Sequence, residues 1–103
     1  FKDNAMSLVW RVVPDPSPEQ ADRALDAAMR HVAAQGVTAV HHMGTWDDLA
    51  VFDRAHQAGR LRTRIHANVP LPTWARLRDR VAERGRGDDW LRVGGLKAFV
   101  DGS

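Results

Sequence analysis

Six residues of this 103-residue chain carry side chains suited to chemistry and fall where strands should end: His41, His42, His66, Asn68, Lys97 and Asp101. Imidazoles bind metals or move protons near neutral pH. Asn68 can donate and accept hydrogen bonds, and Asp101 can accept them or hold a cation. Lys97 is the sharpest case. Leu96, Ala98 and Val100 alternate with Lys97, Phe99 and Asp101, so a strand over 96–100 sends Lys97 to the face opposite its apolar residues. An ammonium group buried there without a partner is costly. It can pair with a carboxylate, or lose its proton and serve as a neutral nucleophile or base. A neutral lysine can also take up carbon dioxide as a carbamate, whose two oxygens can bridge divalent metals. The plainer alternative is a lysine that reaches solvent at the rim, and spacing alone leaves both open.

The histidines divide by geometry. His41 and His42 are adjacent, so they face opposite sides of one strand and cannot share a site. His66 shares a face with Arg64 and Asn68, opposite Ile65 and Ala67, which makes it the better interior candidate. A histidine packed in the core is the competing reading for each of them. No His-x-His or His-Glu-x-x-His metal signature occurs. His31 and His56 fall on helices and receive no assignment.

Elements that alternate along the chain must position these residues. The first sixteen residues read as irregular, closed by Pro14-Asp15-Pro16-Ser17-Pro18. Ser17 is placed to cap a helix with Gln20 as its reciprocal partner and Pro18 at the first position. Ala21, Ala24, Leu25, Ala28, Met29 and Val32 repeat at helical spacing until Gly36. The spacing then predicts a strand over 37–42 and a helix over 46–58, capped by Thr45 and ended by Gly59. A strand over 62–69 and a helix over 73–84 follow, the latter with Trp74, Leu77 and Val81 along one side. A polar loop over 85–89 and a strand over 96–100 complete the chain. Helical connections of this length imply parallel strands and right-handed crossovers. The fold expected is α/β, three consecutive βα units. No glycine fingerprint for a nucleotide follows any strand, which favours part of a (β/α)₈ barrel over a doubly wound sheet.

Composition narrows the function classes. With no cysteine there is no disulfide, thiolate metal site or cysteine nucleophile. No apolar run is long enough to cross a bilayer, so no membrane partner is expected. The net charge is only +2, although thirteen of the fifteen basic residues are Arg. Arg76, Arg78, Arg80, Arg84 and Arg86, with Trp74 and Trp90, could suggest a nucleic-acid surface. Asp79, Glu83, Asp88 and Asp89 interleave with them, and a salt-bridged helix face is the better reading. No nucleic-acid partner is expected.

Gly36-Val37-Thr38-Ala39-Val40-His41-His42-Met43 and Leu96-Lys97-Ala98-Phe99-Val100-Asp101-Gly102-Ser103 resemble the amidohydrolase family 3 group, metal-dependent hydrolases that include N-substituted formamide deformylase-like enzymes. Lys2-Asp3-Asn4-Ala5 and the Pro-Ser-Pro-Glu helix start are similar to that family as well. The Lys-x-Phe-x-Asp-Gly-Ser segment is the most specific part. One departure is His42, where many relatives carry Asp.

The resemblance implies a (β/α)₈ barrel with a metal site at the C-terminal strand ends. Residues 1–103 would be an internal piece holding about strands 2 to 4. Lys97 would be the lysine that, once carboxylated, binds or bridges one or two divalent ions, with zinc the expected metal. His42, His66, Asn68 and Asp101 are candidates for contacts to substrate or to the ligands. The parent would hydrolyse a small amide or related C–N bond, while the piece alone would be inactive and hold no metal. The start at Phe1 and the stop at Ser103, directly after the apolar run 96–100, lead us to expect a piece of a larger protein; three strands cut from a barrel are expected to self-associate through their open edges, and the parent is expected to be cytoplasmic. A non-catalytic α/β interaction module and an arginine-rich nucleic-acid binder are the alternatives.

Overall fold

A computed structural model describes residues 3–100, with side chains from residue 6 onward. The order is α1 (Asp3–Trp10), α2 (Pro18–Ala34), β1 (Ala39–Met43), α3 (Trp46–Gln57), β2 (Arg64–Pro70), a 3₁₀ turn (Leu71–Thr73), α4 (Trp74–Arg84) and β3 (Leu91–Lys97). The three strands form one parallel sheet in the order β1-β2-β3. The α/β reading and the parallel sheet are therefore present in the structure.

Local chemistry accounts for the helix boundaries. Ser17 Oγ accepts the Gln20 amide at 3.2 Å while the Ser17 amide donates to Gln20 Oε1 at 2.8 Å, with Pro18 in the first turn. The chain leaves α2 through Gly36 at φ 81°, a left-handed conformation that costs glycine little. Thr45 and Asp48 make the same reciprocal cap on α3 at 3.2 and 3.1 Å.

One face of the sheet carries the core. Ile65, Ala67 and Val69 of β2 and Leu91 and Val93 of β3 are buried with Leu49 and Phe52 of α3 and Leu77 of α4. Leu25 of α2, Val40 of β1, Trp46, Leu61 and Val81 pack around them. Helices α2, α3 and α4 thus cover the same side. The opposite face carries His41, Met43, Arg64, His66, Asn68, Arg92 and Lys97, none of them buried.

Three expectations are corrected. The first residues are not irregular: α1 occupies Asp3–Trp10, an apolar stretch without proline that can form helical hydrogen bonds. The last strand is Leu91–Lys97 rather than 96–100, because Leu91 and Val93 find buried positions opposite Ile65 and Ala67. Phe99 and Val100, 81% and 104% exposed, lie beyond it. Trp74 does not join the core side of α4. It is 53% exposed, and the Arg78 guanidinium lies 5.4 Å from its ring. Among the described residues no helix is long and apolar enough to cross a membrane.

Leu49 is 1% exposed at the centre of the helix–sheet contact. Leu49→Ala removes its contacts and leaves a void, so the chain should lose about 3 kcal/mol in denaturant unfolding. The Asp48 cap yields a pH-dependent expectation. Partial burial pulls its carboxyl upward, but hydrogen bonds from the Thr45 amide, the His42 ring and the Thr45 hydroxyl, with attraction to His42, hold it below the usual 3.8. A group depressed in the folded state stabilises above its unfolded pKa and stops doing so as pH falls through the folded value. The carboxylate is partly exposed, so Asp48→Ala should cost only about 0.5–1 kcal/mol at neutral pH. The difference from the native chain should fade below about pH 4, measured by unfolding both chains across that range.

Candidate functional site

Parallel strands present their C-terminal ends together, and here the bare face of the sheet does so without helical cover. In β1 and β2 the parity is plain: Val40, Ile65, Ala67 and Val69 point toward the helices, so His41, His66 and Asn68 point away. The register pairs His41 with His66 across the strands. Their rings stack with centroids 4.9 Å apart and planes within 5°. A metal must lie near the ring plane of each imidazole that ligates it. Two separated parallel planes offer no common point, so this pair packs and does not chelate.

In β3 the parity changes midway. Ala67 pairs with Val93 and Asn68 with Gly95, so Gly94 is left as an extra residue in a bulge. Without it, the alternation set by Leu91 and Val93 would carry Lys97 to the helix side. With it, Leu96 pairs with Val69 and Lys97 with Pro70, and Lys97 joins the face of His66 and Asn68. A Cβ at Gly95 would collide with Asn68 Oδ1, and one at Gly94 with the Arg86 guanidinium. The Arg86 Nη1 also reaches the Gly94 carbonyl at 3.4 Å. These two glycines make room for the asparagine and arginine that close over the bulge.

Lys97 is the last residue of β3 and partly buried. Its ammonium lies 5.1 Å from the centre of the Phe99 ring, a cation–π contact. Asp101, the proposed partner, lies outside the described residues.

His42 departs from the other candidates. It faces the helices, where Phe52 meets its ring edge-on at 4.8 Å and Asp48 Oδ2 lies 3.1 Å from Nε2. Adjacency to His41 on an extended strand forces this separation. Gly44 is required beside it, since a Cβ there would strike both His42 Nε2 and Asp48 Oδ2. Neither Asp48 nor Gly44 stood out in the sequence, although Thr45-x-x-Asp48 is a readable capping pattern. A cavity of about 410 Å³ also lies on this side, between α2, β1 and α3. Its lining is apolar apart from His42, Asp48 and Thr63. Cavity and lysine are on opposite sides of the sheet.

The loops at the C-terminal strand ends are held firmly. Trp46 Nε1 donates to Thr73 Oγ1 at 2.9 Å, and that hydroxyl donates to the Pro70 carbonyl at 2.6 Å. Arg76 stacks 4.1 Å above the Trp46 ring. Among the described residues, no three His, Asp or Glu side chains converge as a metal cage. Much of the arginine complement is paired: Arg80 grips Asp53 with two 2.8 Å bonds, Arg54 reaches Asp22 at 2.9 Å and Arg60 reaches Asp26 at 2.7 Å.

Comparison with known proteins places these features in context. The amidohydrolase family model matches residues 1–103. The chain is 34% identical over 113 aligned positions to Protein LONG AFTER FAR-RED 3 of Arabidopsis thaliana, covering 98% of this chain and 19% of that protein. It therefore spans about a fifth of the length of that relative. No solved structure matches. A family match over every residue, joined to a relative aligned across nearly the whole chain, makes this chain a member of the amidohydrolase family.

Proposed function

We propose that this chain forms about strands 2 to 4 of a (β/α)₈ barrel in a metal-dependent hydrolase that cleaves a small amide or related C–N bond. The observation that carries the reading is Lys97, at the C-terminal end of a parallel strand and on the sheet face of His66 and Asn68, in a chain of the amidohydrolase family. Sequential parallel strands with all cover on one face suit a barrel wall, whose other face becomes the interior.

The residues present fit one ligand position and not a complete site. Lys97 stands at a strand end, and the described residues add no cluster of His, Asp or Glu around it. The remaining ligands and the general base would come from outside this chain. The Lys97 amine, once deprotonated, would attack carbon dioxide, forming an Nζ–C bond and releasing a proton. The resulting carbamate would present two oxygens toward the barrel interior. A divalent ion, zinc in this reading, would polarise the scissile carbonyl and make water nucleophilic near neutral pH. Asn68, fixed above Gly95, would offer an amide for hydrogen bonding near the reacting group. His66, held by its stack on His41, would line the interior below it. His42 has no part in this, because it lies on the helix side.

The 103-residue chain alone should show no metal-dependent amide hydrolysis and only weak zinc binding. Equilibrium dialysis and turnover assays check both, and metal-dependent turnover by the purified chain would overturn the reading. In the intact enzyme, Lys97→Ala should remove bound metal and nearly all turnover, and short carboxylic acids should restore part of each by supplying the missing oxygens. Metal content measured beside the rate separates a lost ligand from a general loss of activity. A mutant that keeps its metal and its rate would rule out the carbamate and leave Lys97 a rim lysine.

A further inference from the structure

We infer that Thr73 and Trp46 are positioning residues for Lys97, a role that depends on Lys97 being the metal-holding residue proposed above. Thr73 stands at the N-cap of α4 and makes no side-chain cap there. A threonine in that place ordinarily accepts an amide of the first turn, as Ser17 and Thr45 do for α2 and α3. The Thr73 hydroxyl is committed elsewhere. It accepts the Trp46 indole N–H at 2.9 Å and donates to the Pro70 carbonyl at 2.6 Å.

Chemistry fixes the direction of this relay. An indole N–H can only donate and a carbonyl can only accept, so the hydroxyl must accept from one and donate to the other. Exchanging it for a methyl group leaves both without their partner. The donor end is itself held, since Trp46 packs against the core layer and the Arg76 guanidinium lies 4.1 Å over its ring. Trp46 opens α3 just beyond β1, whereas Pro70 ends β2 and Thr73 closes the turn after it. The relay therefore ties together the connections that follow two neighbouring strands.

Lys97 lies at the receiving end. Pro70, the last residue of β2, pairs with Lys97, the last residue of β3. Beyond the bulge only three register pairs follow: Asn68 with Gly95, Val69 with Leu96 and Pro70 with Lys97. A bulge disrupts the ladder and bends the strand, so that short segment alone keeps Lys97 on the inner face. Pro70 has no amide to donate, and its carbonyl is the group that Thr73 holds. Fixing that carbonyl fixes the backbone beside which Lys97 is laid, and with it the height at which the amine leaves the sheet. Helix α4 forgoes a cap, and three successive strand ends are joined instead.

The intact enzyme provides the test, with a readout besides turnover. Thr73→Val keeps the size of the side chain and removes the hydroxyl, Thr73→Ser keeps the hydroxyl, and Trp46→Phe removes the indole donor. Backbone deuterium uptake is followed by mass spectrometry in overlapping peptides that separate residues 95–97 from 91–93. Thr73→Val and Trp46→Phe should speed uptake over 95–97 by about tenfold and leave 91–93 as in the native enzyme, because a strand end can open without the core. Their kcat should fall by about tenfold, as when a group supporting a metal ligand is lost, with KM close to native. Thr73→Ser should restore both. Unchanged uptake over 95–97, an equal rise over 91–93, or no rescue by serine would each overturn the inference. So would a native kcat in Thr73→Val when Lys97→Ala abolishes turnover. If Lys97→Ala instead keeps its metal and rate, the ligand reading of Lys97 falls separately. The exchange rates then decide alone: faster uptake confined to 95–97 upholds the hold of Thr73 on that strand end, and native uptake refutes it.

Discussion

The extra residue at Gly94 decides which way the end of the third strand faces. Strands impose a strict two-residue alternation, so one inserted residue inverts everything after it. Leu91 and Val93 anchor β3 in the core, and without the bulge the same alternation would turn Lys97 onto the helices. There its ammonium would meet apolar packing, at a cost of several kcal/mol unless neutralised. The bulge keeps both the core contacts and an outward lysine. It depends on two glycines, because Asn68 and Arg86 occupy the space that side chains would need.

Cohesion comes chiefly from the single apolar layer between sheet and helices. Each buried Leu, Ile, Val or Phe in it contributes about 1.5–3 kcal/mol, and the cluster has seven such side chains besides Ala67. The ion pairs that join α2 to α3 and α3 to α4 are partly exposed, with the Asp53–Arg80 pair the most enclosed at 17% and 16%. Pairs of that kind contribute about 0–1 kcal/mol each when exposed to water. Burial therefore sets stability, while the pairs fix how neighbouring helices sit against each other. The layer leaves the other face of the sheet free for polar residues, which is where Lys97, His66 and Asn68 are found.

Much of this was legible in the sequence wherever one local rule acted alone. Ser17, Pro18 and Gly36 bounded α2 correctly, Thr45 began α3, and the alternation of Ile65, Ala67 and Val69 placed β2 and the orientation of His66 and Asn68. The face of Lys97 was also read correctly, although the strand holding it was drawn five residues late. Reading failed there because Leu91-Arg92-Val93-Gly94-Gly95 looks weak for a strand: two glycines lower its propensity, and the bulge breaks its period. Trp74 fell outside the core because its position at the start of α4 leaves it over solvent, a matter of helix placement that periodicity does not contain. The His42–Asp48 pair needed three elements at once, a strand face, a glycine turn and a helix cap. It emerged only when they were assembled.

The strictly sequential strand order has a kinetic consequence. Each strand pairs with the next one along the chain, and α4 packs on β2 and β3, the strands that flank it in sequence. Each pairing nevertheless joins distant residues, Ala39 with Arg64 and Ile65 with Leu91, so the entropy of closing each crossover is spent before the strand contacts repay it. A chain organised this way can pair its strands in order as it leaves the ribosome, β1 with β2 first, while α3 completes its packing only when Leu91 and Val93 of β3 arrive. Growth of the sheet then proceeds in one direction, and each completed strand becomes the template on which the next is laid.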